Sequence, residues 1–287
     1  MMKKIALIIA VFAFSFSANA QTKRNLKQEE ANKKLVMTFY QKLIGDKDVS
    51  AIDQYLSPNY ITHNPQMQNG REALKNAFNK DFGNAPKIKV DFRNVAADGN
   101  FVFLHMKMQN PAGKYEAVAD IFKVENNKIV EMWDVIQEIP EKAANLHPMF
   151  SGTERPEKTK RNLKQEEANK KLVMTFYQQL FGDKDFTAID KYLSQDYIQH
   201  NPDVADGSAA LKTATKIWFE GAPKEKIIAE HLAAEGDLVF IHKKEVGADG
   251  KISAIMDIFR VKNKKIIEHW DVIQKAPEHS VNPKPMF

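Results

Sequence analysis

The sequence predicts an α+β protein built from two tandem copies of one domain. Residues 22–41 recur without change as residues 159–178, an offset of 137 (159 minus 22), and the alignment continues without a gap to the last residue. Within each copy, apolar residues first follow a helical period and later alternate as they do in strands. The period is far longer than that of stacked repeats, so each copy is expected to form a domain with its own core.

The start of the chain has the features of a secretory signal. Lys3 and Lys4 precede an apolar run over residues 5–16, and Ala18 and Ala20 are small residues suited to a signal-peptidase site. The apolar run is shorter than the roughly 20 residues that a membrane-spanning helix needs. We therefore expect cleavage after Ala20 and a periplasmic or secreted protein that has no membrane anchor after cleavage.

A short polar segment separates the two copies. It contains Gly152 and Pro156, which are typical of linkers between domains. The expected organisation is a signal peptide at residues 1–20, a first domain at 21–150, a linker at 151–158 and a second domain at 159–287.

Each copy begins with three predicted helices. In the first copy Asn25 caps a helix that lasts until Gly45, and Asp48 caps a short helix that ends before Pro58. A third helix is expected over residues 70–82.

Four strands are predicted to follow the helices as an antiparallel meander. Alternation begins near Ile88, Asp98 and Gly99 mark a first hairpin, and Asn126 and Asn127 mark the last. In this arrangement three N-terminal helices pack on one face of a curved four-stranded sheet, which leaves a cone-shaped domain with a cavity open at one end.

Composition and motifs exclude several function classes. Lys and Arg number 42 against 37 Asp and Glu, and loss of Lys3 and Lys4 lowers the formal charge from +5 to about +3, with basic and acidic residues interspersed. Such a surface does not indicate nucleic-acid binding. The chain has no Cys, no paired His spacing for a metal, no serine-hydrolase elbow and no glycine-rich phosphate loop. The sequence therefore predicts neither a metal site nor a cofactor.

Two pairs of aspartates are the main candidates for acid–base chemistry. Asp134 and Asp271 follow a tryptophan in the last strand, between apolar neighbours. A carboxylate buried there either is paired or has a raised pKa, which suits a base that removes a C–H proton; the alternative is a carboxylate facing solvent. Asp120 and Asp257 lie in the preceding strand. A two-residue turn would place Asp120 on the opposite face from Asp134, whereas a three-residue turn would place both on one face, and the sequence leaves this open.

Histidines are the second group of candidates. His63 and His200 lie where the chain is expected to cross the mouth of the cone, and a neutral imidazole there could donate to a substrate carbonyl. The alternative is a loop histidine bonded to the backbone. The copies also differ, because Met132 of the first is His269 of the second, on the same strand face as Asp271. We therefore expect the second copy to be the more competent site.

Several of these segments resemble the SnoaL-like polyketide-cyclase family. The resemblance rests on residues 60–65 and 120–137 of the first copy, and on residues 200–202 and 257–274 of the second. It implies the nuclear-transport-factor-2-like cone fold, aldol-type cyclase, isomerase or lyase-like chemistry on a small apolar or carbonyl-containing ligand, an Asp of the last strand region as general base, and no metal or organic cofactor. It also implies that His is usual at the position of Met132.

Two other functions stay open beside catalysis. The protein could bind a small apolar ligand without transforming it, or its two sheets could pack about a pseudo-two-fold axis as an intramolecular pseudo-dimer whose role is structural. A buried inward-facing Asp favours catalysis, a pocket without inward carboxylates favours binding, and a filled cone favours the structural role.

Overall fold

The computed structural model describes residues 24–82, 86–110, 112–150, 161–247 and 249–287. The expected signal peptide and linker lie outside these residues. Among the described helices, none is both long and apolar enough to cross a membrane.

Each copy folds as helices followed by a sheet, which confirms the α+β class. The first copy contains α1 (Leu26–Tyr40), α2 (Ala51–Tyr55), β1 (Leu56–Thr62), α3 (Arg71–Phe82), β2 (Asp91–Asp98), β3 (Phe101–Gln109), β4 (Tyr115–Glu125) and β5 (Lys128–Glu138). The second contains α4 (Leu163–Tyr177), α5 (Thr187–Tyr192), β6 (Leu193–Gln199), α6 (Ser208–Trp218), β7 (His231–Glu235), β8 (Leu238–Val246), β9 (Ile252–Lys262) and β10 (Lys265–Lys275).

The first helix of each copy begins at the expected cap. The side chain of Asn25 accepts hydrogen bonds from the first turn of α1, and Asn162 does the same for α4. Both helices end in a π-helical turn that finishes at a glycine, Gly45 or Gly182. A Cβ at Gly45 would lie 2.7 Å from the Ile88 carbonyl oxygen, so the close approach of this turn to the segment before β2 requires glycine.

The sheet has five strands rather than the four expected. In the first copy the order is β1-β5-β4-β3-β2; the last four form the predicted antiparallel meander, while β1 pairs in parallel with β5. The sequence predicted a short helix ending before Pro58 and no strand between it and the third helix. This strand was missed because it contains Pro58, is irregular in register and lies at the edge of the sheet, where proline is tolerated.

The register of the last hairpin depends on a bulge. Asn126 and Asn127 both have positive φ and form a two-residue turn between Glu125 and Lys128, yet Asp120 lies opposite Asp134. The register shifts by one residue between Lys123 and Val124, where the facing strand has an extra residue. A short turn therefore coexists with two aspartates on one face, a combination that the sequence analysis did not consider. The second copy repeats this shift and pairs Asp257 with Asp271.

Three hydrophobic clusters form the core. One fills the first cone between its helices and sheet, and a second fills the other cone in the same way. The third joins the outer faces of the two sheets and includes Phe103, Trp133, Phe240 and Trp270. The two sheets thus bury apolar side chains against each other as well as against their own helices.

A buried ion network also joins the two cones. Arg24 pairs with Glu166 of the other copy at 2.9 Å, and Arg161 pairs with Glu29 at 2.8 Å, while each arginine also bonds the glutamate of its own copy. Both glutamates are fully buried. Burial alone would raise the pKa of Glu29, but the two guanidinium groups and the Gly99 amide hold it below its usual range.

The C-terminal segment of each copy packs on the other copy. Asn145 donates to the carbonyl oxygens of Asn201 and Val204, both at 2.7 Å. Its counterpart Asn282 donates to the carbonyl oxygens of Thr62 and Asn64 at 2.8 and 3.0 Å. The C-terminal segment of each copy therefore crosses the contact between the cones and packs on the other copy; we call these segments the exchanged tails.

Candidate functional site

The last two strands of each sheet bring the predicted aspartates together inside the cones. Asp257 faces Asp271, and both share a strand face with Phe259, which belongs to the core of the second cone. Asp120 and Asp134 are placed in the same way in the first cone. The shifted register puts all four on inward-facing positions, so each cone holds a pair of buried carboxyl groups.

In the second cone a chain of hydrogen bonds leads to His269. The Tyr177 hydroxyl donates to Asp257 Oδ2 at 2.7 Å, and Asp257 Oδ1 lies 2.9 Å from His269 Nε2. On its other side His269 Nδ1 lies 2.9 Å from Gln199 Oε1, which also accepts from the Asn201 backbone N–H at 2.9 Å. Burial lowers the pKa of His269, but the Asp257 hydrogen bond and the charges of Asp271 and Asp257 raise it by more, so its imidazolium persists to a higher pH than that of an exposed histidine.

Asp271 lies beside this chain with one oxygen unused. Asn201 Nδ2 donates to its Oδ2 at 2.6 Å, whereas Oδ1 is buried and has no hydrogen-bond partner among the described residues. Burial raises the pKa of Asp271 to about 6, although the His269 charge acts in the opposite direction. The exposed fractions of Asp257, His269 and Asp271 are 5%, 8% and 6%, so the cluster is nearly closed to solvent. A carboxylate with these properties can accept a proton near neutral pH.

The first cone has the carboxyl pair without the histidine. Met132 replaces His269, and its sulfur contacts the Thr62 hydroxyl at 3.7 Å. Asn64 donates to Asp134, whose pKa burial raises to about 6. Burial and the neighbouring Asp134 carboxylate raise the pKa of Asp120 well above its usual value, by more than the contact with the Tyr40 hydroxyl lowers it. Asp120 therefore keeps its proton to a higher pH than an ordinary aspartate.

The histidines expected at the cone mouth lie on the other side of the sheet. The ring of His200 stacks on Trp270 at 4.8 Å, its Nδ1 donates to the Pro148 carbonyl oxygen at 2.5 Å, and its Nε2 lies 2.9 Å from Glu268. His63 makes the equivalent contacts in the first copy with Trp133, Pro285 and Glu131. The structure does not bring either histidine to the aspartates. Each histidine directly follows a strand whose last residue, Thr62 or Gln199, points into the cone, so the histidine itself points to the outer face of the sheet.

His105 and His242 also face the contact between the sheets. His105 lies against Phe150, and His242 lies 3.0 Å from His231, measured between the two Nδ1 atoms. Burial lowers the pKa of both His105 and His242 to about 3, so they are neutral parts of the core and not site residues.

The sequence analysis missed three residues that complete the second site. Tyr177, Gln199 and Asn201 each bond one of its charged groups. For Gln199 the comparison of the copies contained a signal. The second copy has Gln199 and His269 where the first has Thr62 and Met132. This difference alone does not single out Gln199, because the copies differ at many other positions; the hydrogen bond to His269 does.

A surface cavity of about 380 Å³ lies elsewhere, around the start of α1 and the turn after β4. It is lined by polar residues such as Asn25, Gln28 and Asn126, and none of the aspartates described above contributes to it. The carboxylates, not this cavity, mark the candidate site.

Comparison with known proteins identifies both copies. A family described as SnoaL-like domain matches residues 36–132, and a family described as SnoaL-like polyketide cyclase matches residues 171–278. No curated protein matches the chain.

Solved structures similar to this chain each correspond to one cone. TsrD from Streptomyces laurentii is 21% identical and covers 37% of this chain and 89% of its own, with a TM-score of 0.32. A nuclear-transport-factor-2-like protein from Mesorhizobium loti is 13% identical and covers 40% of this chain and 97% of its own, with a TM-score of 0.34. One from Burkholderia xenovorans LB400 is 16% identical and covers 39% and 88%, with a TM-score of 0.33. On the two family matches, which together span most of the described residues, the chain belongs to the SnoaL-like family and carries one copy of its domain in each cone.

Proposed function

We propose that the second cone binds a small carbonyl compound and catalyses proton transfer at the carbon next to the carbonyl, the step common to aldol-type cyclisation and isomerisation. The observation that carries the proposal is the buried Asp271 carboxylate with one free oxygen, next to a histidine held between Asp257 and Gln199. A base and a positive charge thus lie side by side in a site of low solvent access.

The roles follow from the hydrogen bonds. Oδ1 of Asp271 is available to remove the C–H proton, because Oδ2 is engaged by Asn201. Both ring nitrogens of His269 face acceptors, so its imidazolium supports the reaction through its field: it stabilises the negative charge that develops on the substrate oxygen as the enolate forms. Tyr177 and Gln199 hold the charged groups in place before the substrate arrives.

Exchange of substrate protons with solvent tests this function without knowledge of the natural substrate. The protein would be incubated in D₂O, in the presence of a chelator, with small 1,3-dicarbonyl compounds, and loss of the α-proton signal would be followed by NMR. Asp271→Asn keeps the shape and removes the base, so exchange should fall by about 10²–10⁴-fold. Asp134→Asn is the matched control in the first cone and should have little effect. Equal losses from both variants would contradict the assignment to the second cone, and binding without exchange would favour the non-catalytic role.

We further propose that the first cone serves mainly as a partner, in an intramolecular pseudo-dimer. The shared hydrophobic cluster, the crossed arginine–glutamate pairs and the exchanged tails support this role, as does Met132 at the position of His269. Disrupting the crossed arginine–glutamate pairs should abolish proton exchange even though Asp257 and Asp271 remain intact.

Export is the remaining part of the proposal. It rests on the signal-like composition of residues 1–20, and the N-terminal sequence of the mature protein tests it.

A further inference from the structure

We propose that Asp257, His269 and Asp271 bind one divalent transition-metal ion of the zinc class. One ligand atom from each of the three buried residues lies within 4.8 Å of the others. An imidazole with two carboxylates is a donor set that such ions accept, and three protein ligands leave a coordination position for water or substrate.

The groups that surround the three residues are those of a prepared metal site. Tyr177 donates to Oδ2 of Asp257 and Asn201 donates to Oδ2 of Asp271, at 2.7 and 2.6 Å. Each carboxylate therefore has one oxygen fixed by a donor and its Oδ1 turned to the cluster, and Oδ1 of Asp271, a residue only 6% exposed, has no partner among the residues described. Outer hydrogen bonds of this kind orient metal ligands in proteins.

The hydrogen bonds of Gln199 determine the tautomer of His269. The Asn201 backbone N–H donates to Oε1 of Gln199, which identifies that atom as an acceptor. Nδ1 of His269 must therefore carry the proton that it directs to Gln199, and in the neutral ring Nε2 has the free lone pair. Nε2 is the nitrogen that faces Asp257, so the neutral histidine presents its donor atom to the cluster.

Charge is balanced when the ion is present. Two carboxylates and a neutral histidine carry a charge of −2, which a divalent cation neutralises, while binding releases the proton of Nε2. The first cone offers no equivalent, since it has Met132 in place of the histidine and Thr62 in place of Gln199. A site with one ion per chain follows.

Metal binding and proton transfer exclude each other at this site. An Asp271 oxygen that coordinates an ion cannot accept a substrate proton, so zinc should inhibit the exchange reaction. This consequence rests on the proposed function, whereas the binding of the ion does not. No metal was expected from the sequence because it has no Cys and no paired His spacing; the bulged register of β9 and β10 brings Asp257, His269 and Asp271 together instead.

Calorimetric titration of the chelator-treated protein with ZnCl₂ tests the site. We expect one ion per chain. His269→Met, which copies the first cone, should abolish this binding, and Gln199→Thr should weaken it about 10–100-fold, as loss of an outer partner does. Met132→Leu is the matched control and should leave zinc binding unchanged. Unchanged affinity in His269→Met would overturn the proposal.

Crystals of the unaltered protein grown with zinc give a second test that does not depend on a variant folding. Anomalous scattering at the zinc edge should show a peak between the three residues, and zinc found only at surface histidines, or not at all, would overturn the site. Proton exchange measured in chelator separates the two proposals. If zinc does not bind but Asp271→Asn abolishes exchange, the metal site is refuted and the catalytic role stands. If zinc binds but the unaltered protein shows no exchange, the catalytic role is refuted and the metal site stands.

Discussion

Asp120→Asn should make the protein more stable at neutral pH, which is unusual for a change at a fully buried residue. Asp120 is 1% exposed and faces Asp134, and the nearby Tyr40 hydroxyl offsets only part of the cost of its charge. Its pKa in the folded protein lies well above its ordinary value of 3.8, because burial and the Asp134 carboxylate oppose its charge. Folding at a pH between the unfolded and the folded pKa therefore requires Asp120 to take up a proton, and asparagine removes that requirement while keeping the shape.

The size of the effect follows from this proton uptake. A carboxyl group whose pKa is raised by folding lowers the free energy of unfolding most at high pH. This loss becomes smaller as the pH falls toward the pKa of the unfolded chain. Each pH unit in that window changes the free energy of unfolding by about 1.4 kcal/mol. From pH 5 toward pH 7 the advantage of Asp120→Asn over the unaltered protein should therefore grow for as long as the pH stays below the folded pKa. Urea unfolding of both proteins at pH 5, 6 and 7 measures it.

The same substitution in the second cone is the control. Asp257 accepts hydrogen bonds from Tyr177 and His269, so Asp257→Asn should destabilise the protein at pH 7. A pH-independent difference for Asp120→Asn, or destabilisation by both variants at pH 7, would refute the raised pKa of Asp120.

Three further results are expected. Glu166→Gln should lower the free energy of unfolding by about 3–5 kcal/mol, since it leaves buried guanidinium charge unbalanced; a loss under about 1 kcal/mol in urea unfolding would contradict a structural role for the ion network. Removal of residues 279–287 should cost at least about 2 kcal/mol, because Met286 and the other tail contacts leave the first cone, and an unchanged urea midpoint would show that the exchanged tail is dispensable. Mass spectrometry of exported protein should find a chain that begins at Gln21, and mature material that retains Met1 would contradict export with cleavage.

The class and the tandem organisation of the fold could be predicted because both depend on local signals. The caps at Asn25 and Asn162 and the turn at Asn126 and Asn127 are encoded within a few residues. The fifth strand could not be predicted, since Pro58 weakens its local signal and its pairing partner, β5, is distant in sequence. Local chemistry specifies helices and hairpins, whereas a parallel edge strand is specified by the assembled sheet.

The site was predicted in part for the same reason. Asp271 and His269 share a face by strand alternation alone, which the sequence shows directly. The position of Asp257 opposite Asp271 requires the bulge, and neither turn length considered beforehand includes one. His200 failed as a candidate because its ring is occupied by Trp270 and by a carbonyl group of the other copy's tail, which sequence order places 52 residues away.

The pattern of identity between the copies now has a physical explanation. The unchanged block contains Arg24 and Glu29 in the first copy and Arg161 and Glu166 in the second, and these residues pair with each other across the contact between the cones. In a nearly symmetric contact each copy faces its own counterpart, so a change in one copy would leave the partner's group buried and unpaired.

Side chains inside a cone are not held by this contact, although some of them, such as Tyr40 and Tyr177, lie in the same unchanged block. His269 and Gln199 contact residues of their own cone, so they could differ from Met132 and Thr62 without disturbing the contact between the copies. A duplicated domain can in this way keep its assembly surface in both copies while the chemistry of the two interiors diverges. The paired change at these two positions, inside one cone and in direct contact, is the reason to look for activity in the second.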